Sequence, residues 1–89
     1  MIVLIDKSFE KDTNKINNKT LLIKIAECIE NVILASDIKD VKGIKKLSGY
    51  KKEYRIRIGN YRLGLIVENN KVEFIRCLHR KDIYKYFPK

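Results

Sequence analysis

Three arginines, Arg55, Arg57 and Arg62, are the residues whose type and spacing most directly indicate chemistry. They alternate with apolar residues in YRIRIGNYRLGLIV, residues 54–67. Successive side chains of a β-strand point to opposite faces, so the three share one face of a predicted sheet, which we call the arginine face. A guanidinium stays protonated in proteins and forms paired hydrogen bonds with phosphate oxygens. The pattern therefore indicates a site for an anion.

A predicted hairpin brings two of these arginines together. The Gly-Asn pair at positions 59–60 suits a two-residue turn because both residue types tolerate a positive φ. Such a turn places Arg57 opposite Arg62 and Arg55 opposite Gly64. Like charges facing each other cost some tenths of a kcal/mol up to about 1 kcal/mol, so we expect an anion between them, with Gly64 leaving room for a phosphate. The alternative is a solvated cationic face that serves solubility.

A second polar group follows the last predicted strand, in LHRKDIY, residues 78–84. These residues allow cleavage of a phosphodiester in RNA without a metal, a reaction in which arginines stabilise charge on the phosphorus oxygens. One group must deprotonate the 2′-hydroxyl and another must protonate the leaving 5′-oxygen. Arginine cannot be the base, so the base is His79, Tyr84 or a lysine. A structural role for His79 is the alternative.

Other catalytic chemistries lack the residues that they require. One histidine and two distant cysteines give no metal-ligand spacing, and there is no glycine-rich phosphate loop. No serine or cysteine nucleophile with a partner base can be argued from the spacing. We therefore expect no metal and no small-molecule cofactor.

The chain before the arginines is predicted to supply a strand and a helical hairpin. Residues 2–5 are apolar and rich in β-branched side chains, as in a short buried strand. Apolar residues at helical spacing predict helices at residues 9–16, capped by Ser8, and at residues 20–36. Residues 37–49 are polar and rich in lysine and are predicted to form a loop, with room for one helical turn.

The predicted fold class is α+β in the order β-α-α-β-β-β-short α, with the helical hairpin packed on one face of an antiparallel sheet. A second hairpin turn at residues 69–70 joins the last two strands, and a short helix follows at residues 82–87. Two-residue turns place His79 on the arginine face. They place Arg76 on the core face, where it must reach the sheet edge or a carboxylate such as Asp6. The predicted core face comprises Tyr54, Ile56, Ile58, Tyr61, Leu63, Leu65, Val67, Val72, Phe74 and Leu78.

Charge is concentrated in the second half of the chain. The 89 residues carry a net charge of +9; positions 1–45 hold eight basic and seven acidic residues, whereas positions 46–89 hold twelve and four, a net of +8. This asymmetry favours a polyanion such as nucleic acid, an acidic protein partner, or both. The length predicts a single domain, residues 1–89.

The cellular location is inferred from the length of the apolar N-terminal segment and from the surroundings of the two cysteines. The apolar start is too short for a signal peptide or a membrane span, and no amphipathic basic helix suggests a membrane partner. Cys28 and Cys77 lie in apolar patterns and are interpreted as buried, reduced thiols. We therefore expect a cytoplasmic protein.

Residues 46–87 resemble the RelE/ParE superfamily of toxins from type II toxin-antitoxin systems. The resemblance rests on KKLSGYKKEYRIRIGNYRLGLI, followed by a hairpin and then LHRKDIYKYF, and the N-terminal strand and helical hairpin also fit. RelE-like members are ribosome-dependent endonucleases that cut mRNA in the decoding site and are blocked by a cognate antitoxin. The resemblance thus implies the ribosome, mRNA and an antitoxin with an acidic segment as partners.

The resemblance also implies roles for single residues. Arg62 matches the arginine that stabilises the phosphate, Arg80 matches the arginine after the last strand, and Tyr84 matches the tyrosine that stacks on a base and takes part in proton transfer. The preceding strand has arginine where RelE has lysine, which removes a lysine as acid or base, and His79 is a difference that could compensate. The expected catalytic residues are Arg62, Arg80, Tyr84 and His79, and the expected RNA-binding residues are Arg55, Arg57, Lys51, Lys52 and Lys81.

Two other functions stay open. ParE-like members share the fold but poison DNA gyrase, and they generally lack the RNA-cutting set. The joint presence of Arg62, Arg80 and Tyr84 favours the nuclease over this gyrase inhibitor. The other alternative is a toxin remnant that binds RNA or its antitoxin without cleaving.

Overall fold

The computed structural model describes residues 1–88 and confirms the predicted fold class. The five strands form one sheet in the order β1-β5-β4-β3-β2. β1 runs parallel to β5, so the sheet is mixed and not wholly antiparallel as predicted. The elements in chain order are β1 (Ile2–Ile5), α1 (Lys7–Asn14), α2 (Lys19–Leu34), a 3₁₀ turn (Ile38–Asp40), β2 (Ile44–Lys46), β3 (Glu53–Ile58), β4 (Tyr61–Glu68), β5 (Lys71–His79) and α3 (Ile83–Tyr86).

The first helix begins two residues earlier than predicted because Asp6, and not Ser8, is its N-cap. The Asp6 carboxylate accepts a hydrogen bond from the Ser8 amide at 2.9 Å, and this bond lowers the pKa of Asp6. The Asp6 amide donates to the Phe74 carbonyl at 2.9 Å, so the same residue ends β1 and starts α1. α2 is capped by Asn18 in the same way. Among residues 1–88, no helix has both the length and the apolar character needed to cross a bilayer.

β2 corrects the predicted loop at residues 37–49. It has only three residues, two of them lysines, and it pairs antiparallel with β3 at the edge of the sheet. A strand this short shows no alternation, and lysine is typical of edge strands because it discourages further pairing. The single helical turn that was predicted within this loop is the 3₁₀ turn at Ile38–Asp40. Ile38 and Val41 are buried and hold the stretch against the core.

The core lies between the helical hairpin and the sheet. Phe9 of α1 packs edge-to-face on Phe74 of β5, with ring centroids 5.3 Å apart, and Val32 of α2 is fully buried. Both cysteines are buried, as expected. Burial raises the pKa of Cys28 to about 11 and that of Cys77 to about 12, so both thiols are protonated at neutral pH.

The register of the first hairpin is confirmed, whereas that of the second is only half right. Beyond its turn, Leu65 faces Phe74 as predicted, but Gly64 faces Arg76. Ile75 is thus an extra residue in β5, which is a β-bulge. The bulge reverses the faces of the remaining β5 residues, because a shift of one residue turns every later side chain over.

Four predicted positions change face as a result of this bulge. Cys77, and not Leu78, lies on the core face opposite Leu63, and Leu78 lies opposite Arg62 on the arginine face. His79 leaves the arginine face and lies opposite Tyr61, whose side chain packs against the core. Arg76 moves off the core face and lies opposite Gly64.

Arg76 reaches around the edge of β5 to a carboxylate of α1. Its Nε and Nη2 donate to Asp12 at 2.7 and 3.1 Å, and Asp12 also accepts from the Cys77 amide at 2.9 Å. The pairing of β1 with β5 ends at Phe74. Beyond that point the Asp12 carboxylate, in place of β1, accepts the hydrogen bond from the β5 main chain at Cys77. The Arg76 guanidinium lies 5.0 Å from the centroid of the Tyr86 ring. Arg76 therefore meets a carboxylate, as predicted, but that carboxylate is not Asp6.

Candidate anion site on the arginine face

Arg57 and Arg62 face each other across β3 and β4, as the sequence predicted. They lie one residue pair away from the β3–β4 turn, where Gly59 has a φ of +56°. Arg57 is exposed, whereas Arg62 is half-buried. Directly opposed residues have Cα atoms roughly 4.5–5.5 Å apart, so the two positive charges are held close together by the backbone.

The guanidinium of Arg62 is fixed by the turn beside it. Its Nη1 donates to the carbonyl oxygens of Gly59 and Tyr61, at 2.9 Å each. Both bonds use Nη1, so they do not engage Nε or Nη2. The half of the guanidinium that can grip a phosphate with two parallel hydrogen bonds thus keeps its donors, in an orientation set by the main chain.

Arg55 is fixed from the other side, by the loop before β2. Its Nη1 donates to the Gly43 carbonyl at 2.7 Å, and the same oxygen accepts from the Arg57 amide at 3.1 Å. β2 also places Lys45 directly opposite Arg55, on the arginine face. The sequence reasoning missed Lys45 because its position became meaningful only once residues 44–46 were paired with β3.

Gly43 is therefore a position where we expect a substitution to be costly. It has a φ of +79°, and a Cβ added there would lie 2.9 Å from the Arg57 carbonyl oxygen. Gly49 is the matched control, since it has a φ of +83° and nothing within 4 Å of its added Cβ. Backbone strain alone costs roughly 1–2 kcal/mol, which Gly49→Ala should show. Gly43→Ala should lose at least about 1 kcal/mol more, because the contact is with backbone. Urea unfolding measures both, and equal losses would contradict this account.

Arg80 and Tyr84 complete the group around Arg62. The Arg80 amide donates to the Asn60 carbonyl at 2.7 Å, which ties the residue after β5 to the β3–β4 turn. Tyr84, on α3, is 57% exposed. Burial lowers the pKa of Arg62, the positive charges of Arg57, Arg55 and Arg80 lower it further, and Tyr84 opposes the change. The Arg80 main chain is thus tied to the turn beside Arg62, and Tyr84 is near enough to influence the pKa of that guanidinium.

His79 is not part of this group, and its predicted place on the arginine face is wrong. The imidazole packs edge-to-face on Tyr61, with ring centroids 5.7 Å apart. Its Nδ1 accepts a hydrogen bond from the Lys81 amide at 3.1 Å. The ring lines a groove of about 430 Å³ at the end of β5, together with Lys15, Asp82 and Tyr86. The bulge at Ile75 is the physical cause, because it reverses the face of every later β5 residue.

Gly64 does not leave room for a phosphate, which corrects a second prediction. A Cβ added at Gly64 would lie 2.6 to 2.9 Å from three carbon atoms of the Phe87 ring. The ring therefore occupies the space that the missing side chain leaves. Phe87 is only 3% exposed and is held here as part of the packed structure. A glycine inside a strand does mark a close approach, but here the approaching group belongs to the same chain.

Two of the three predicted lysines lie away from the arginines. Lys52 forms an ion pair with Glu68 at 3.3 Å, and its carbonyl accepts from the Val67 amide at 2.8 Å. Lys51 precedes it in the same loop. Lys52 lies five positions before Arg57 along the chain, a distance on the order of 16 Å in an extended strand. Lys81 is exposed and directly follows Arg80.

The charge at this site comes from side chains. Among residues 1–88, no three His, Cys, Asp or Glu side chains are grouped as they would be around a metal ion. Arginines placed around one point can stabilise a phosphate or the extra negative charge that develops during its displacement. The arrangement is therefore suited to binding and polarising a phosphodiester.

The chain belongs to the RelE/ParE superfamily of toxins from type II toxin-antitoxin systems. The family model described as ParE toxin of type II toxin-antitoxin system, parDE, matches residues 3–84. The chain is 44% identical to Toxin RelE3 of Methanocaldococcus jannaschii over 91 residues, which cover 99% of this chain and 100% of that relative.

Solved structures agree with this membership. The RelB-RelE antitoxin-toxin complex from Methanococcus jannaschii contains a chain that is 39% identical, with a TM-score of 0.81, covering 96% of this chain and 99% of that one. The YoeB dimer from Staphylococcus aureus is 19% identical with a TM-score of 0.71, covering 89% and 95% of the two chains. At that identity the second likeness concerns the fold alone.

Proposed function

We propose that this protein is an endoribonuclease that cleaves ribosome-bound mRNA. The observation that carries the proposal is the placement of Arg62, whose guanidinium is oriented by two main-chain carbonyls and lies among Arg57, Arg80 and Tyr84. The identity of 44% to a protein named Toxin RelE3 supports a RelE-like activity rather than a ParE-like one. Acting on ribosomes requires a cytoplasmic protein, as the sequence led us to expect.

In the proposed reaction the RNA supplies its own nucleophile. A base removes the proton of the 2′-hydroxyl, the 2′-oxygen bonds to phosphorus, and the bond to the 5′-oxygen breaks as that oxygen receives a proton. Arg57, Arg62 and Arg80 hold the phosphate and stabilise the charge that builds on its oxygens. Guanidinium groups supply this charge without a bound metal or cofactor.

Tyr84 is the proposed group for base stacking and proton transfer. Its ring is exposed on α3, where a nucleobase can reach it, and Tyr84 is near enough to Arg62 to influence the pKa of that guanidinium. His79 was the other expected proton carrier, but its imidazole packs on Tyr61 and its Nδ1 already accepts a hydrogen bond from the Lys81 amide, so we assign no proton transfer to it. Lys81, next to Arg80, stays a proposed RNA contact. Lys51 and Lys52 are proposed to contact RNA only outside the scissile region.

A cognate antitoxin is the proposed protein partner. The structural relatives include antitoxin-toxin complexes from Methanococcus jannaschii and Mycobacterium tuberculosis. The net charge of +8 on the second half of this chain favours an acidic segment in such a partner. Neutralising the arginine face would remove the charge that the proposed reaction needs.

Inhibition of DNA gyrase is the second candidate function. The family model that matches residues 3–84 is described as a ParE toxin, which favours this alternative. A gyrase inhibitor does not need a phosphate site with an oriented arginine and a neighbouring tyrosine. We therefore rank it below mRNA cleavage.

Two parallel assays distinguish these functions. The purified protein is incubated with programmed ribosomes carrying an end-labelled mRNA, and separately with gyrase and supercoiled DNA. We expect mRNA cleavage that requires the ribosome, and no gyrase-dependent DNA cleavage. Intact mRNA together with cleaved DNA would overturn the proposal in favour of gyrase inhibition. Intact mRNA and intact DNA would indicate a remnant that binds without cleaving.

A further inference from the structure

The Phe87 ring links the C-terminal segment to the middle of the sheet. It lies on Gly64 of β4, whose added Cβ would be within 2.6 to 2.9 Å of three ring carbons. Gly64 is opposite Arg55 on one side and opposite Arg76 on the other. The ring therefore sits within the arginine face, one residue pair away from Arg57 and Arg62.

The helix that carries Tyr84 is too short to hold its own position. α3 has four residues, and an isolated turn of that length is not stable in water. Its position must come from packing on either side of Tyr84. Ile83 is fully buried, Phe87 is 3% exposed, and the Phe87 amide donates to the Ile83 carbonyl at 2.8 Å. Tyr84 lies between these two anchors and is itself exposed.

We propose that Phe87 is a positioning residue that holds Tyr84 beside Arg62 by packing on Gly64. The inference rests on the proposed cleavage reaction, in which Tyr84 contacts the RNA. Phe87 touches no reacting atom in this account. It acts through α3, and Gly64 is the part of the sheet that makes room for its ring.

The first test replaces Phe87 by leucine and uses Phe9→Leu as the matched control. Both phenylalanines are buried, 3% and 2% exposed, but Phe9 belongs to α1 and packs on Phe74 in the core between the helices and the sheet. Single-turnover cleavage of ribosome-bound mRNA is measured below the melting temperature of both variants. Phe87→Leu should slow cleavage about 10- to 100-fold, because a displacement near 1 Å has effects of that size. Phe9→Leu should keep the wild-type rate. Equal effects of the two variants, or none, would overturn the proposal.

The second test uses Gly64. In the wild-type background, Gly64→Ala should slow cleavage as Phe87→Leu does, because the new methyl group displaces the ring. When Phe87 is already alanine, adding Gly64→Ala should change the rate by less than about twofold, since the ring that clashed is gone. Additive effects would mean that Gly64 acts by a route other than Phe87, and would contradict the inference.

A third measurement does not depend on cleavage. Amide hydrogen exchange of the full-length protein should become faster at residues 83–87 in Phe87→Leu, with the strands unchanged. Unaltered exchange there would show that the ring does not hold α3. Failure of the proposed function is recognised separately, because the wild-type protein would then leave mRNA intact, whereas failure of this inference leaves an active wild type and an equally active Phe87→Leu.

Discussion

Arg62→Ala is expected to reduce cleavage of ribosome-bound mRNA by about 10²- to 10³-fold, the usual effect of removing one oriented donor from a transition state. The unfolding free energy should change by less than about 1 kcal/mol. Removing the charge relieves its repulsion with Arg57, which is worth some tenths of a kcal/mol up to about 1 kcal/mol. Losing the bonds to the Gly59 and Tyr61 carbonyls offsets that gain by a similar amount. Single-turnover rates and urea unfolding give the two quantities.

Two variants make this experiment specific. Lys71→Ala removes the same charge from an exposed position at the β4–β5 turn, far from the site, and should keep the wild-type rate. Arg62→Lys keeps the charge but loses the planar fork, so its rate should fall between those of Arg62→Ala and wild type. A large drop in stability of Arg62→Ala would mean that the arginine is structural. Equal loss of activity in Lys71→Ala would mean that only net charge matters.

Asp12→Asn should have the largest effect on stability. The carboxylate, with a side chain only 6% exposed, accepts hydrogen bonds from Arg76 Nε, Arg76 Nη2 and the Cys77 amide. The amide of asparagine can accept at one atom only and would present an NH2 group to a guanidinium. Removing one partner of a fully buried ion pair costs about 3–5 kcal/mol. The Arg76 side chain is 23% exposed, so water compensates part of its charge and we expect a loss at or below the lower end of that range. Urea unfolding followed by circular dichroism measures the loss.

Glu68→Gln is the matched control for this prediction. Glu68 pairs with Lys52 at 3.3 Å, but both side chains are largely exposed, 62% and 47%. Exposed pairs contribute roughly 0–1 kcal/mol, so this variant should be close to wild type. A loss in Asp12→Asn no larger than the loss in Glu68→Gln would show that the link between α1 and β5 is not important for stability.

The first hairpin could be predicted from sequence because its information is local. The turn residues and the alternation of Arg55, Arg57 and Arg62 with apolar residues determine both register and face. The placement of Arg57 opposite Arg62 followed from counting residues outward from the two-residue turn. Arg80 and Tyr84 were identified through the family pattern alone; the bond from the Arg80 amide to the Asn60 carbonyl ties the Arg80 main chain to the β3–β4 turn.

The errors arose where distant parts of the chain decide the outcome. Ile75 looks like any apolar strand residue, and nothing nearby in the sequence marks it as the extra residue of a bulge. Its effect moved His79 away from the site and sent Arg76 to Asp12. β2 was missed because three residues form a strand only when β3 offers an edge. Gly64 correctly signalled a close approach, but the sequence could not show that Phe87 fills the space.

The main-chain anchors of Arg62 and Arg55 have a consequence for the entropy of binding. A free arginine side chain has about 2 kcal/mol of rotamer entropy to lose when it is fixed on a ligand. In this protein much of that loss takes place during folding, when the Gly59, Tyr61 and Gly43 carbonyls accept the two guanidinium groups. Arg57 is exposed and still free to adjust. When a phosphate binds, Arg55 and Arg62 are therefore already in place and only Arg57 has to be ordered. Less side-chain entropy is lost on binding, so more of the interaction free energy contributes to affinity.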